Sequence, residues 1–333
     1  MKVLVTGASG FIGEGVVERL LARGDRVRAL VRPTSRTEEL SRLGAELASG
    51  HVCDAGSVRA AVEGVDAVVH LAGLVKARTT AELFAVNAGG TRAVAEACAA
   101  RADPPRLVYV SSLAAAGPAG PERPRREDDA PAPVSDYGRS KLAGEDAVRD
   151  VSHRVRASIV RPPIVYGPRD KELMPELLRM ARLGVVVRTG LAHKRYSVVH
   201  VADLCDGIAA VLDRGAALEP RGPRSRGVYF LATSEVPTWD DLALAACAAA
   251  GRKAVVLPVP EAVAYGVAAA AWMHQTATGR AAMISFDKLR EARQPAWICS
   301  SERARDEVGF VPRFDLAAGM RDAVAWFRAR GEA

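Results

Sequence analysis

The chain has 333 residues, 49% of them hydrophobic and 26% charged, a balance that permits a full buried core and excludes a disordered or fibrous chain. Its net charge of +7 comes from arginines scattered among Asp and Glu, without a basic run or interleaved aromatics. Nucleic acid is therefore not an expected partner, although some of the charge can steer an anionic ligand to a cleft. The five cysteines (Cys53, Cys98, Cys205, Cys247, Cys299) are dispersed and lack metal-ligand spacing, which fits a reducing compartment and no metal. The longest apolar stretch, Ala262–Met273, is too short to span a bilayer and no targeting segment precedes Lys2, so a cytoplasmic protein without a transmembrane segment is expected.

Strand patterns at Lys2–Thr6, Arg26–Val31, Glu46–Ser49, Ala67–Leu71, Arg106–Ser111 and Arg154–Val160 alternate with helical patterns at Phe11–Arg23, Ser57–Glu63, Thr80–Ala100 and Tyr137–Asp150. This rhythm predicts an α/β fold, a Rossmann-type doubly wound parallel sheet. Gly117–Asp136, rich in Pro, Gly and charge, is expected to be a surface loop leading into the site. After Gly167 the alternation loosens, and short runs at Arg195–Val201 and Gly227–Ala232 suggest a smaller C-terminal substrate-binding lobe. Residues 1–166 are the expected dinucleotide-binding domain. Residues 167–333 are mainly the substrate lobe, with a return to the first domain expected around 195–215.

The first strand runs into Gly7-Ala8-Ser9-Gly10-Phe11-Ile12-Gly13 and then a helix. Glycines at this spacing permit the tight turn, the approach of backbone to a pyrophosphate and the packing of helix on strand. The diphosphate would rest on free N–H groups at the helix start. The second strand ends in Val27-Arg28-Ala29-Leu30-Val31-Arg32 and continues to Arg36 without a carboxylate. An acid there would hold the ribose hydroxyls of NAD. Arg32, aided by Ser35 or Arg36, instead suits a 2′-phosphate, so NADP(H) is expected over NAD(H). Stacking of Arg32 on adenine, compatible with NAD, is the alternative.

Tyr137-Gly138-Arg139-Ser140-Lys141 sets a phenol and an ammonium on one helix face. The cation favours phenolate, so Tyr137 becomes a usable acid and base, and Lys141 would also hold the nicotinamide ribose. The fifth strand delivers Ser111 and Ser112 to the carboxyl edge of the sheet, where such folds bind ligands. Ser112 is expected to orient the substrate oxygen and Ser111 to lie nearer the cofactor; the plain alternative for either is a strand-end cap.

Together these motifs resemble the extended short-chain dehydrogenase/reductases, the NAD-dependent epimerase/dehydratase family, over the whole length. They are T-G-A-S-G-F-I-G at Thr6–Gly13, Asp54, H-L-A-G at His70–Gly73, N-A-G-G-T at Asn87–Thr91, V-S-S at Val110–Ser112, Y-G-R-S-K at Tyr137–Lys141, R-P-P-I-V-Y-G-P at Arg161–Pro168 and V-H-V-A-D at Val199–Asp203. The resemblance implies that Asp54 contacts adenine and that Leu71, Ala72 and Gly73 line the cofactor. It also implies that Asn87 supports the proton relay and that the backbone at Pro163 and Ile164 meets the nicotinamide amide. His70 and His200 are expected to pack rather than react.

Departures from the family pattern narrow the reading. Leu113 and Ala114 follow Ser112 where sugar-nucleotide dehydratases carry an acidic pair, Ile164 stands where epimerases usually have Asn, and Tyr196-Ser197 replaces Arg-Asp. Val27–Arg32 resembles the cofactor segment of dihydroflavonol reductases. The last eighty or so residues, through Trp297 to Gly309-Phe310-Val311-Pro312, resemble the 3β-hydroxysteroid dehydrogenase-like branch. The expectation is an oxidoreductase interconverting a secondary alcohol and a ketone on a hydrophobic small molecule. The alternative is an NAD-dependent epimerase of a sugar nucleotide. Family members pair through the two long helices, so a homodimer through Ala93, Val94, Ala97, Ala143, Ala147 and Val148 is expected, and Tyr265, Trp272 and Met273 are expected to offer movable apolar surface over the substrate.

Overall fold

Val3 and Val5 of the first strand lie in one hydrophobic core and Leu4 in another. That period of two, in a strand buried on both faces, marks the centre of a covered parallel sheet. The structure, a computed structural model, describes residues 1–260, 262, 263, 266 and 286–332.

The first part runs β1 (Lys2–Thr6), α1 (Phe11–Ala22), β2 (Arg26–Val31), α2 (Glu38–Arg42), β3 (Glu46–Ser49), α3 (Ala55–Val62) and β4 (Ala67–His70). It continues through α4 (Thr80–Phe84), a π-helical turn (Ala85–Gly90), α5 (Thr91–Ala99), β5 (Arg106–Val110), α6 (Leu113–Ala116), α7 (Asp136–Asp150) and β6 (Ala157–Arg161). Then come β7 (Ile164–Tyr166), α8 (Leu173–Leu183), β8 (Val185–Thr189), β9 (Arg195–Tyr196), β10 (Val198–His200), α9 (Val201–Arg214), β11 (Val228–Phe230), α10 (Trp239–Ala249) and β12 (Val255–Val259). The last elements are α11 (Phe286–Ala292), β13 (Ala296–Trp297), α12 (Glu302–Val308) and α13 (Leu316–Arg328).

Seven parallel strands form the central sheet in the order β11-β6-β5-β4-β1-β2-β3. The order reverses between β1 and β4, which pair from Val3–Ala67 to Thr6–His70. Loops leaving these two strands part at that point and open a crevice at the carboxyl edge. Helices α1 and α9 cover one face through Val16, Val17, Leu20, Leu204 and Ile208. Helices α3, α5 and α7 cover the other through Val58, Val62, Val94, Cys98 and Val148. A third core, with Met174, Leu177, Leu242, Ala246, Met320 and Phe327, joins α8, α10 and α13 into the smaller lobe.

Four features differ from the sequence reading. The run at Gly227–Ala232 belongs to the central sheet, because β11 pairs with β6 and is fully buried. The chain returns to that sheet once more at α12 and Phe310, which share a core with α9. The helix expected over Thr80–Ala100 runs without interruption to Ala99 but contains the π turn, and α2, short and polar, is additional.

Candidate active site

The glycine loop opens the crevice. Gly7 has φ 71°, and a Cβ there would stand 2.7 Å from the Ala72 nitrogen. A Cβ on Gly13 would overlap the Gly7 carbonyl oxygen. Gly10 starts α1 without a side-chain cap, so the first turn presents backbone N–H groups to the cleft. Such a cradle fits the diphosphate of a dinucleotide. At the end of β2, Arg32 is exposed, and its backbone N–H donates to Ser35 Oγ at 3.2 Å. Its guanidinium has no protein partner among the described residues, which suits an added phosphate. Asp54 caps α3, its Oδ1 accepting from the Gly56 N–H at 3.0 Å, and leaves its other oxygen for the implied adenine contact.

A cleft of about 1070 Å³ brings Gly7, Gly10, Phe11, Ile12, Gly13, Leu71, Gly73, Ser111, Ser112, Tyr137, Lys141, Pro163 and Ile164 together. Ala72 stands behind the loop, and its N–H donates to Thr6 Oγ1 at 3.3 Å. Arg32, Asp54 and Asn87 do not border the cleft. The start of α7, which carries Tyr137, is held from both sides. Ser135 Oγ accepts from the Gly138 N–H at 3.0 Å. Asp287 of α11 accepts from the N–H groups of Asp136 at 2.7 Å and Tyr137 at 3.3 Å.

One turn on, Lys141 is buried and its Nζ donates to the Val110 carbonyl at 2.7 Å. Burial pushes its pKa down to about 7, against the pull of Glu145. Glu145 is wholly buried. Burial alone would raise its pKa, but Arg161, donating to it at 2.8 and 2.6 Å, and Ser111, donating at 2.7 Å, hold it below the usual carboxylate value. The Ser111 hydroxyl is thus engaged beneath the cleft. Ser112 Oγ accepts from the Ala114 N–H at 3.1 Å and so caps α6. The cap uses a lone pair and leaves the hydroxyl proton to donate, so capping and orienting a substrate oxygen are compatible in one geometry.

Asn87 lies in the π turn, a distortion common at functional sites. Its Oδ1 accepts from the Leu74 N–H at 2.7 Å, and its Nδ2 donates to Leu74 O at 2.8 Å and Ser140 Oγ at 2.9 Å. It fixes the loop after β4 to α7, so its place is that of a positioning residue. His70, in contact with Thr6 Oγ1 at 2.6 Å and Thr91 Oγ1 at 2.9 Å, is fully buried, and burial lowers its pKa to about 3. It is a neutral packing residue. His200 starts α9 and packs on Phe314 at 4.0 Å.

The sequence reading missed the Glu145–Arg161 pair, although Glu145 follows Lys141 by four residues on the same helix. It also missed Asp287, Trp239 and Met180, which reach the site from distant parts of the chain. Val263 borders the cleft, while Tyr265, Trp272 and Met273 lie outside the described residues. Of the residues expected at a dimer contact, Val94, Ala97, Ala147 and Val148 are buried in the chain's own core, because both helices turn their Val side chains to the sheet. Ala93 and Ala143 remain half-buried. Among the described residues no His, Cys, Asp or Glu cluster could hold a metal ion, and no helix is long and apolar enough to cross a membrane.

Known proteins resemble this chain in sequence and fold. The NAD dependent epimerase/dehydratase family matches residues 3–223. The ceramide reductase of Caulobacter vibrioides is 32% identical over 335 residues, covering 99% of this chain and 95% of that protein. Sterol demethylase protein B of Methylococcus capsulatus is 32% identical over 351 residues, covering 99% of each. A UDP-glucose 4-epimerase of Thermus thermophilus, solved in complex with NAD, superimposes with a TM-score of 0.77 at 24% identity over 98% of this chain and 99% of that one, a likeness of fold.

Proposed function

The chain belongs to the NAD dependent epimerase/dehydratase family, and on that premise we propose that it is an NADP(H)-preferring enzyme interconverting a ketone and a secondary alcohol on a hydrophobic small molecule. As a member it is an NAD(P)-dependent oxidoreductase of the extended short-chain dehydrogenase/reductase type. The wall of the cleft carries the finer reading. Leu113 and Ala114 follow Ser112, and Leu74, Ile164, Met180, Trp239 and Trp297 border the same space. The two guanidiniums at its outer end are bound to carboxylates, Arg179 to Glu176 at 2.7 Å and Arg188 to Asp240 at 2.6 Å, and so are poorly placed to grip a sugar nucleotide's diphosphate. The names of the ceramide and sterol relatives support the same substrate class.

A bound nicotinamide supplies or accepts the hydride. Ser112 donates its hydroxyl proton to the substrate oxygen and orients it. The Tyr137 phenol gives a proton to that oxygen in reduction and takes one from the hydroxyl in oxidation. Lys141, in its charged form, favours the phenolate, and the Val110 carbonyl keeps its ammonium in place. Arg32 receives the 2′-phosphate that separates NADP from NAD. The Leu113–Ala116 helix contributes no acid, so water elimination has no proton donor on that side. A homodimer through the outer sides of α5 and α7 would brace the helix that carries Tyr137.

NADPH consumption against matched ketones, from aryl and steroid ketones to long-chain β-keto compounds, tests the reading. KM should fall, and kcat/KM rise, with the apolar area of the substrate, which is worth about 25 cal/mol per Å² buried. Binding of UDP-sugars together with indifference to apolar ketones would replace it with the epimerase.

A further inference from the structure

Strands β8 and β12 pair in parallel, Val255 beside Val185 and Leu257 beside Val187. One face of the pair packs into the core of the smaller lobe through Val186 and Val256. The other presents Val255 at 73% exposure, Leu257 at 53% and Val187 at 39%. Leu183, 64% exposed, ends the helix before β8, and Leu191, 81% exposed, follows that strand. Single exposed apolar residues are ordinary on a protein surface, but a cluster on one small sheet marks a contact surface.

Cations predominate along this part of the chain, and of them Arg179 and Arg188 are paired with Glu176 and Asp240. From Glu176 to Asp203 the chain carries Arg179, Arg182, Arg188, Lys194 and Arg195 and no acid, and from Asp241 to Glu261 it carries Arg252 and Lys253 and no acid. Because the strands are parallel, their entries share an edge, and Arg182, Arg252 and Lys253 stand exposed there. Toward the other end the same strands reach the cleft, which Val187, Thr189 and Val259 border.

We propose that this face docks on an anionic lipid bilayer, with Val255 and Leu257 entering the headgroup boundary and Arg182, Arg252 and Lys253 meeting lipid phosphates. Apolar residues flanked by cations are what interfacial binding requires. The geometry then turns the cleft mouth toward the membrane, so an apolar substrate enters without crossing water. Delivery of substrate rests on the hydrophobic-ketone reading; docking itself does not.

Sedimentation of the full chain with phosphatidylcholine vesicles, with and without about a third phosphatidylglycerol, provides the test. Binding should need the anionic lipid and weaken as salt rises. The R252E/K253E variant should lose at least about fivefold in affinity for each charge removed, and V255S/L257S should lose a comparable amount. Both should keep wild-type turnover of a water-soluble ketone and wild-type circular dichroism melting. Wild-type chain that stays in the supernatant overturns the proposal. If V255S/L257S in addition dissociates an oligomer in light scattering, the face joins two copies of the chain; if it changes nothing, residues of the same chain cover the face.

Discussion

The Lys141 ammonium stands 4.6 Å from the centre of the Tyr109 ring, so a buried cation meets the negative face of a π system as well as the Val110 carbonyl. Cation–π attraction offsets part of the cost of keeping this charge out of water. Burial still dominates and holds the group near 7, well below its ordinary 10.5.

A folded-state pKa lowered from 10.5 to about 7 means that the unfolded chain binds more protons between those values, so this group's contribution to stability rises with pH across that window. Its burial cost is fully present below pH 7 and vanishes above 10.5. K141M should therefore stabilise the protein more at pH 6.5 than at pH 9, by on the order of 2 kcal/mol. Urea unfolding at the two pH values reads this difference. An equal effect at both would mean that Lys141 does not titrate between them.

Tyr137→Phe should abolish turnover and leave NADPH affinity within a few-fold, because the ring remains and only the acid is lost. General acid catalysis is worth roughly 10²–10⁴-fold. A variant that keeps more than about a tenth of the activity would assign the proton to another group.

Arg32→Ala should weaken NADPH binding roughly 10–150-fold, the loss of a charge-assisted hydrogen bond worth about 1.5–3 kcal/mol, and leave NADH nearly unchanged. Fluorescence titration with both cofactors separates the outcomes. Equal losses would place Arg32 on the adenine ring.

Glu145→Ala should cost about 3–5 kcal/mol, since it leaves Arg161 charged, buried and unpaired. A double variant that also replaces Arg161 with Met should recover most of that loss in urea unfolding. If the double variant is no more stable than the single one, the pair contributes through Ser111 and not through charge.

Light scattering at micromolar concentration should report a homodimer, with Ala93 and Ala143 on the helix sides left partly open to a partner. Substituting Glu for Ala143 should dissociate it. A monomeric wild type would remove the dimer from the proposal.

Legibility in the sequence followed locality. The strands from β1 to β6 were readable because their β-branched runs lie between Gly, Asp and Pro punctuation, and the turn at Gly7–Gly13 because only glycine fits there. β11 was readable as a strand but not as a neighbour of β6, since pairing partners 69 residues apart, such as Val228 and Ile159, leave no local trace. The cap formed by Ser112 depends on where α6 begins, and the carboxylate beneath Ser111 depends on a salt bridge across 16 residues. Asp287, which holds the start of α7 from 150 positions away, had no signal at all.

The π turn at Ala85–Gly90 winds one extra residue into its turn relative to an α-helix, so the residues before it and after it keep different rotational phases about one axis. Winding the same six residues as α-helix would turn Thr80–Phe84 by about 100° relative to α5, whereas deleting one, such as Ala88, would let the helix close as continuous α-helix with both flanks keeping their settings. The turn thus acts as a phase shifter: Leu83 faces inward on one setting, Val94 and Cys98 on another, and the Asn87 amide sits at the joint where the two settings meet.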